Sequence, residues 1–440
     1  MPETIQLKPA ARIRGKIVLP GDKSVSHRAL ILAALSDGQS RIENLAVGED
    51  IQATIRVLGQ VGVAIRIGGD RKSAVVDGCG GHFAAPAAPL DCGNSGTTMR
   101  LMAGVLAAQP FDSIITGDES LRHRPVAFLA EALNLMGADV GISDTGTPPI
   151  TIHGGDLTGL VHSPEVASAQ VKSAMLLAGL FAEGTTMVKE ILQTRDHTER
   201  LLGKLGGPHV VDVDRLNRTV SVHGETLPLK HFDIVIPGDA SSAAYPVSLA
   251  VILPESAITA TYVGLNPGRT AFYRHLQLMG GSVVMEPDPR GSNATGGEPV
   301  GDIVARSSKL RNIPLDPERI PAMIDELPLL CVISCMADGP WEIRDAARLR
   351  VKETDRIRTT AAVIRGMGCE VEEHEDGLSG PGGQIFWGGE VWSEGDHRIA
   401  MIAAVAAWCS KGPSTIHGAD CVKISFPTFY ERMLELVEGG

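Results

Sequence analysis

Lysine, serine and arginine stand together in Gly21-Asp22-Lys23-Ser24-Val25-Ser26-His27-Arg28, directly ahead of the apolar run Ala29-Leu30-Ile31-Leu32-Ala33-Ala34-Leu35. Asp22 can cap a helix through its side-chain oxygen. Lys23 and Arg28 then fall in the first two turns, where the helix dipole is already positive and a cation costs stability. An anion held between backbone N–H groups and these side chains removes the conflict. The plain alternative is a pair of solvated surface charges, and one helix alone does not decide between them.

The pattern recurs. In Cys92-Gly93-Asn94-Ser95-Gly96-Thr97-Thr98-Met99-Arg100, glycines admit a ligand to the backbone, and hydroxyls and N–H groups can ring a phosphate or carboxylate. A tight turn explains that stretch equally well. It is not a Walker loop, and the Gly-x-Ser-x-Gly of a hydrolase elbow is absent. Further polar clusters are Leu121-Arg122-His123-Arg124-Pro125, Ser168-Ala169-Gln170-Val171-Lys172 and Thr194-Arg195-Asp196-His197. Asp325-Glu326 precedes an apolar run, and Asp325 by itself reads as an N-cap. Leu349-Arg350-Val351-Lys352-Glu353-Thr354-Asp355-Arg356-Ile357 sets Lys352 and Arg356 four apart, on one face if helical; a solvated charged face is the plain reading. Gly395-Asp396-His397-Arg398 opens another apolar run. The pairs Asp196-His197 and Asp396-His397 lack a third ligand at metal spacing, so no metal is expected.

These stretches must be carried by repeating elements. Val61-Gly62-Val63, Met136-Gly137-Ala138, Leu205-Gly206-Gly207, Met279-Gly280-Gly281 and Met367-Gly368-Cys369 recur about 70 to 90 residues apart. Each reads as an amphipathic helix closed by glycine and followed by a strand. A sixth such helix is expected over 427–437. The partner helix of each unit is small-residue-rich and apolar all round, hence buried. Its six copies are expected to begin near Asp22, Gly93, Glu165, Asp239, Asp325 and Asp396. The insert at 287–293 reads as loop. Six units split as three and three, with a hinge at Val235-Ile236-Pro237-Gly238. A first strand over 5–19 is left to complete the second half. The starts of several buried helices are then expected to meet in a cleft between the halves.

Composition narrows the function. At 440 residues with 43% apolar residues, the chain can bury the cores of two or so domains. A net charge of −12 and 4% aromatic residues disfavour a nucleic-acid partner. The longest apolar runs, 173–181 and 399–409, are too short to span a bilayer. Seven cysteines without framework spacing read as reduced thiols. Met1-Pro2-Glu3-Thr4 has neither a basic region nor an apolar signal core, so a cytoplasmic location is expected. Local basic motifs in an acidic chain point to a small anionic ligand.

Taken together, Gly-Asp-Lys-Ser at 21–24 with Arg28, Asn-Ser-Gly-Thr at 94–97, Arg-Val-Lys-Glu-Thr-Asp-Arg at 350–356 and Asp-His-Arg at 396–398 resemble the 5-enolpyruvylshikimate-3-phosphate (EPSP) synthase family. The resemblance runs from Gly21 to Pro427. It implies an α/β fold of two similar domains, each three repeats of buried helices with β-sheets outside, an inside-out α/β barrel. One domain is expected over 21–237, the other over 1–20 plus 238–440, with the active site in the cleft between them. The implied reaction moves the enolpyruvyl group of phosphoenolpyruvate to the 5-hydroxyl of shikimate-3-phosphate and releases phosphate, in the route to aromatic amino acids. By resemblance, shikimate-3-phosphate is bound by Lys23, Ser24, Arg28, Ser168, Ala169, Gln170, Arg195, Asp325 and Lys352. Phosphoenolpyruvate is held by Lys23, Asn94, Gly96, Arg124, Gln170, Arg356 and Arg398. Asp325 accepts the hydroxyl proton, and Glu353 with Lys23 handles the proton at the methylene carbon. No cofactor is implied, glyphosate is the implied inhibitor, and a monomer is expected.

Two departures stand out. Ile424 fills the place of a lysine that many members carry before Ser/Thr-Phe-Pro, with Lys423 one residue earlier. Val171-Lys172-Ser173 and Arg195-Asp196-His197-Thr198 resemble a less common subgroup. A sister enzyme acting on UDP-N-acetylglucosamine usually has Lys-Asn where Lys23-Ser24 stand, and a loop cysteine that 110–124 lacks. A non-catalytic anion-binding protein on the same scaffold is the alternative of another class.

Overall fold

The computed structural model describes residues 3–289 and 291–439, the side chain of Ser292 excepted. The chain forms two compact units. One comprises Gly21–Pro237 and Arg290–Glu298; the other comprises the residues up to Pro20, Gly238–Pro289 and those from Pro299 on. Each has its own apolar core.

The buried helices of the 21–237 unit are Lys23–Ala34, Gly96–Leu106 and Ala169–Gly179. Their caps are local chemistry. Asp22, Ser95 and Ser168 each accept a hydrogen bond from a backbone N–H three residues on, at 3.0, 3.2 and 3.4 Å. Small residues let these helices touch. A Cβ on Gly104 would lie 2.2 Å from the carbonyl oxygen of Ala174, so only glycine fits that crossing.

Three four-stranded sheets cover this core, all in one order. In space they run 233–235, 39–43, 73–77, 64–67; then 90–91, 112–116, 150–153, 139–141; then 161–162, 185–189, 219–223, 211–214. In each, the first pair is parallel and the rest antiparallel. The parallel edge strand arrives from the preceding repeat. Asp233–Val235, leaving the third repeat, pairs with Arg41–Glu43 of the first, so each of the three sheets takes its parallel edge strand from another repeat.

The other unit repeats the plan with helices Ala240–Ile252, Leu327–Met336 and His397–Trp408. The N-terminal segment forms two strands rather than one. Pro9, which lacks an N–H, stands in the break between them. Arg12–Val18 pairs parallel with Ala257–Gly264 on one side and, at Arg12 and Ile13, antiparallel with the edge strand Val437–Glu438 on the other, and Thr4–Leu7 pairs antiparallel with Ser414–His417. Of the stretch expected as loop, Pro287 ends the strand Ser282–Pro287, Asp288 and Pro289 lie in neither helix nor strand, Arg290 lies outside the described residues, and Gly291–Ala294 forms a short helix. The last surface helix is shorter than expected, Phe429–Leu434.

Surface helices end on glycine in the left-handed region, where a side chain would be strained. Gly62, Gly137, Gly280 and Gly368 have φ of 93°, 95°, 94° and 88°. In the third repeat the role passes to Gly207 (φ 60°), one residue after the Gly206 of the motif. No helix among the described residues is long and apolar enough to cross a membrane.

His275, on the surface helix Ala271–Leu278, is turned inward and only 4% exposed. Burial, aided by Arg319, pulls its imidazole down to about 4. The native state thus holds it neutral while the unfolded chain protonates it below about 6.5. Its contribution is complete above that value, falls as pH drops, and is gone below about 4. Urea denaturation should show a loss of about 2 kcal/mol between pH 7 and 5 that His275→Gln lacks; equal pH slopes for both proteins would refute this.

Candidate active site

In the 21–237 unit the candidate residues sit at the starts of buried helices. Lys23 opens the first helix, followed by the half-buried Ser24, and its ammonium lies 2.7 Å from Asp50 Oδ2. Asp50 begins the surface helix Glu49–Gln60. Nothing local marks it as a site residue, because an acidic residue there reads as ordinary dipole compensation. Arg28, 4% exposed, donates from Nε to Thr198 Oγ1 (2.7 Å), from Nη1 to the Ser24 carbonyl (2.9 Å) and from Nη2 to Ser173 Oγ (2.8 Å). Burial brings its guanidinium down to about 10 against the opposing pull of Glu199 and Asp22.

A second group surrounds the next helix start. Arg124, 8% exposed, donates to Asn94 Oδ1, and Asn94 Nδ2 donates to Asp118 at 2.8 Å. Arg100, not singled out as a site residue from the sequence, donates to Gln170 Oε1 at 3.0 Å, while Gln170 Nε2 donates to Thr97 at 2.9 Å. A Cβ on Gly96 would meet Arg100 Nη1 at 2.6 Å and Arg124 Nη1 at 3.3 Å. The absent side chain leaves both guanidinium groups within reach of the helix start. Ser168 caps its helix, Ala169 is the first helical residue, and Arg195 lies half-buried just ahead of the helix His197–Gly206.

The other unit gathers Asp325, Lys352, Glu353, Arg356 and Arg398. Asp325 is not an N-cap. Glu326 holds that position without a side-chain cap bond. The Asp325 carboxylate instead faces three cations: Oδ1 is 3.4 Å from Lys352 Nζ and 3.5 Å from Arg356 Nη1, and Oδ2 is 3.8 Å from Arg398 Nη2. Arg398 Nη1 also donates to the Asp325 carbonyl at 3.1 Å. Arg356, 1% exposed, grips Asp396 with two bonds, Nε to Oδ2 at 2.8 Å and Nη2 to Oδ1 at 3.1 Å, and lies 2.6 Å from Glu353. Burial works against the charge on Arg356 and Arg398, yet their carboxylate partners carry both above the ordinary arginine value. Lys352 moves down, chiefly by burial.

Lys352 and Arg356 do not share a helix, contrary to the sequence reading. A 3₁₀ turn covers Ala347–Val351, and the α-helix begins at Arg356. Asp355 accepts from the N–H groups of Ile357 and Arg358, both at 3.1 Å, and so caps the helix behind Lys352. The two cations meet across Asp325. Ile424 packs against the apolar core, and Lys423 pairs with Asp420 at 3.1 Å.

Cations set at helix starts and braced by carboxylates, in two units of one repeat plan, define a protein that handles small polyanions. Comparison with known proteins narrows this. The family model for EPSP synthase (3-phosphoshikimate 1-carboxyvinyltransferase) matches residues 7–433. The 3-phosphoshikimate 1-carboxyvinyltransferase of Thermodesulfovibrio yellowstonii is 42% identical over 437 residues, 98% of this chain and 99% of that protein. That of Halorhodospira halophila is 44% identical over 439 residues, covering 99% and 97%. The solved EPSP synthase of Acinetobacter baumannii superposes with a TM-score of 0.84 at 40% identity, covering 99% of this chain and 98% of the other. The chain belongs to the EPSP synthase family.

Proposed function

We propose that the chain transfers the enolpyruvyl group of phosphoenolpyruvate to the 5-hydroxyl of shikimate-3-phosphate and releases phosphate, in aromatic amino-acid biosynthesis. The observation that carries the reading is the crowding of Lys352, Arg356 and Arg398 around Asp325, at positions of the family motifs. Three cations at one carboxylate suit a site that receives a phosphate and a carboxylate and still needs a base.

The chemistry requires two proton movements. As the 5-hydroxyl oxygen attacks C2 of phosphoenolpyruvate, its proton leaves to Asp325 and another is delivered to the methylene carbon. Loss of that added proton with departure of phosphate regenerates the double bond. Glu353 with Lys23 serves the carbon. Arg124, Arg356 and Arg398, with Asn94, Gly96 and Gln170, hold the carboxylate and phosphate of phosphoenolpyruvate; guanidinium forks suit both groups. Lys23, Ser24, Arg28, Ser168, Ala169, Gln170, Arg195 and Lys352 take shikimate-3-phosphate. On this reading residues 21–237, with 290–298, form one domain and the rest of the chain the other, and residues of both serve the one reaction. The working form is taken to be a cytoplasmic monomer.

A phosphate-release assay with both substrates tests the proposal. Phosphate is expected only when both are present; release with UDP-N-acetylglucosamine in place of shikimate-3-phosphate would transfer the chain to the sister activity. Glyphosate, with a carboxylate and a phosphonate, is expected to compete with phosphoenolpyruvate beside Gly96. Unchanged turnover in millimolar glyphosate would count against that.

A further inference from the structure

Lys172 is buried one turn inside the third helix, with its side chain 2% exposed. Its ammonium lies 2.9 Å from Glu190 Oε1 and 2.6 Å from Glu199 Oε1. Both carboxylates are largely out of water, at 12% and 4%. A buried ion cluster is a poor source of stability, because apolar residues of the same volume do as well. A cation near a helix start is also opposed by the dipole. Its geometry therefore calls for another explanation.

The two glutamates stand on either side of Arg195. Glu190 also accepts from the N–H of Thr194 at 3.0 Å and from its hydroxyl, closing the turn that leads into Arg195. Glu199 lies on the helix that follows, next to Thr198, whose hydroxyl binds Ser173 Oγ at 2.8 Å and receives Arg28 Nε at 2.7 Å. One ammonium thus fixes the chain before and after Arg195 to the helix that begins at Ser168. Burial alone would lower Lys172, but the two glutamates prevail and raise it, so the charge persists.

We infer that the Lys172–Glu190–Glu199 cluster is a positioning device that sets Arg195 relative to Ser168, Ala169 and Gln170, and so determines affinity for the phosphate-bearing acceptor. This rests on the reading that those residues take shikimate-3-phosphate. The three cluster residues are positioning residues and touch no reacting atom.

Lys172→Met tests the device. Lys172→Met/Glu199→Gln, which removes the ammonium together with one of its two carboxylates, guards against a single variant that fails to fold. In the ligand-free protein, amide hydrogen exchange over 190–196 is expected to accelerate about tenfold or more, with the buried helices unchanged. In turnover, KM for shikimate-3-phosphate should rise about tenfold, while KM for phosphoenolpyruvate and kcat stay within about threefold. Adding Arg195→Ala to Lys172→Met should cost little beyond Arg195→Ala alone. Unchanged exchange over 190–196, equal rises in both KM values, or fully additive effects would overturn the inference. If the parent protein turns over the pair and Lys172→Met leaves all constants unaltered, the cluster's role fails alone. If the parent does not turn over the pair, the functional reading fails, and hydrogen exchange still judges the cluster.

Discussion

Asp325→Asn is expected to lower kcat by about a thousandfold, the range for loss of a positioned general base, without weakening phosphoenolpyruvate. The amide keeps the size of the carboxylate, its oxygen can still accept from Lys352, and the backbone carbonyl at 325 still accepts from Arg398, so geometry survives. It cannot take a proton from a hydroxyl. It also removes the negative charge that Lys352 at 3.4 Å, Arg356 at 3.5 Å and Arg398 at 3.8 Å share. The three cations are left with more unbalanced charge, which favours an incoming carboxylate or phosphate. The expected signature is therefore a collapse of kcat with KM for phosphoenolpyruvate unchanged or lower. Arg356 still has Asp396 and Glu353, and Arg398 keeps Glu326 at 3.7 Å, so the fold should persist. A kcat within tenfold of the parent would remove Asp325 from the role of base, and a large rise in KM alone would make it a binding residue.

What the sequence disclosed was chemistry acting over a few residues. Asp22, Asp239 and Asp396 cap their helices as short-range polar logic demands, and the buried helices followed from runs too apolar to have a wet face. Closing glycines were legible for the same reason, since only glycine tolerates φ near +90°; Gly206 misled by one place because two glycines stood side by side. Two kinds of fact were hidden. Pairings across the chain have no local signal: Asp50 with Lys23 spans 27 residues, and Asp396 with Arg356 spans 40. Competing caps were also missed. The 350–356 motif read as continuous helix, but Arg350 is held by Asp355, by Glu373 and by the carbonyls of His374 and Glu375. That web, with the Asp355 cap, stops the helix at Arg356 and frees Lys352 to approach Asp325 from outside it. The plain N-cap reading of Asp325 failed by the same logic, because Pro328 in the first turn already removes one donor that a cap would satisfy.

Arg356→Met is expected to be the most destabilising single change, at about 3–5 kcal/mol, the cost of leaving a buried charge without its partner. Arg356 is 1% exposed and Asp396 is fully buried. Methionine fills the stem but not the fork, so Asp396 loses two hydrogen bonds and its counter-charge together. Arg356→Lys should restore only part, since an ammonium cannot reproduce the paired bonds. Arg356→Met/Asp396→Asn removes both charges and should recover much of the loss without recovering turnover. Acidity separates this account from simple cavity formation. In the parent, burial pushes the Asp396 carboxyl up, but Arg356 outweighs it and holds the group below the ordinary aspartate value of 3.8. That stabilisation is present above pH 3.8 and is lost as pH falls through the lower native value. Without Arg356, burial and the nearby Glu353 both push the carboxyl up, opposed by His397 and by the hydrogen bonds from Thr354 and the Arg398 N–H. The native carboxyl then binds a proton more readily than the unfolded one, and acid relieves the strain. The gap between parent and Arg356→Met should narrow as pH falls from 7 toward 4 in urea denaturation. A gap constant across that range would mean that lost packing, and not an unpaired Asp396, is what the variant suffers.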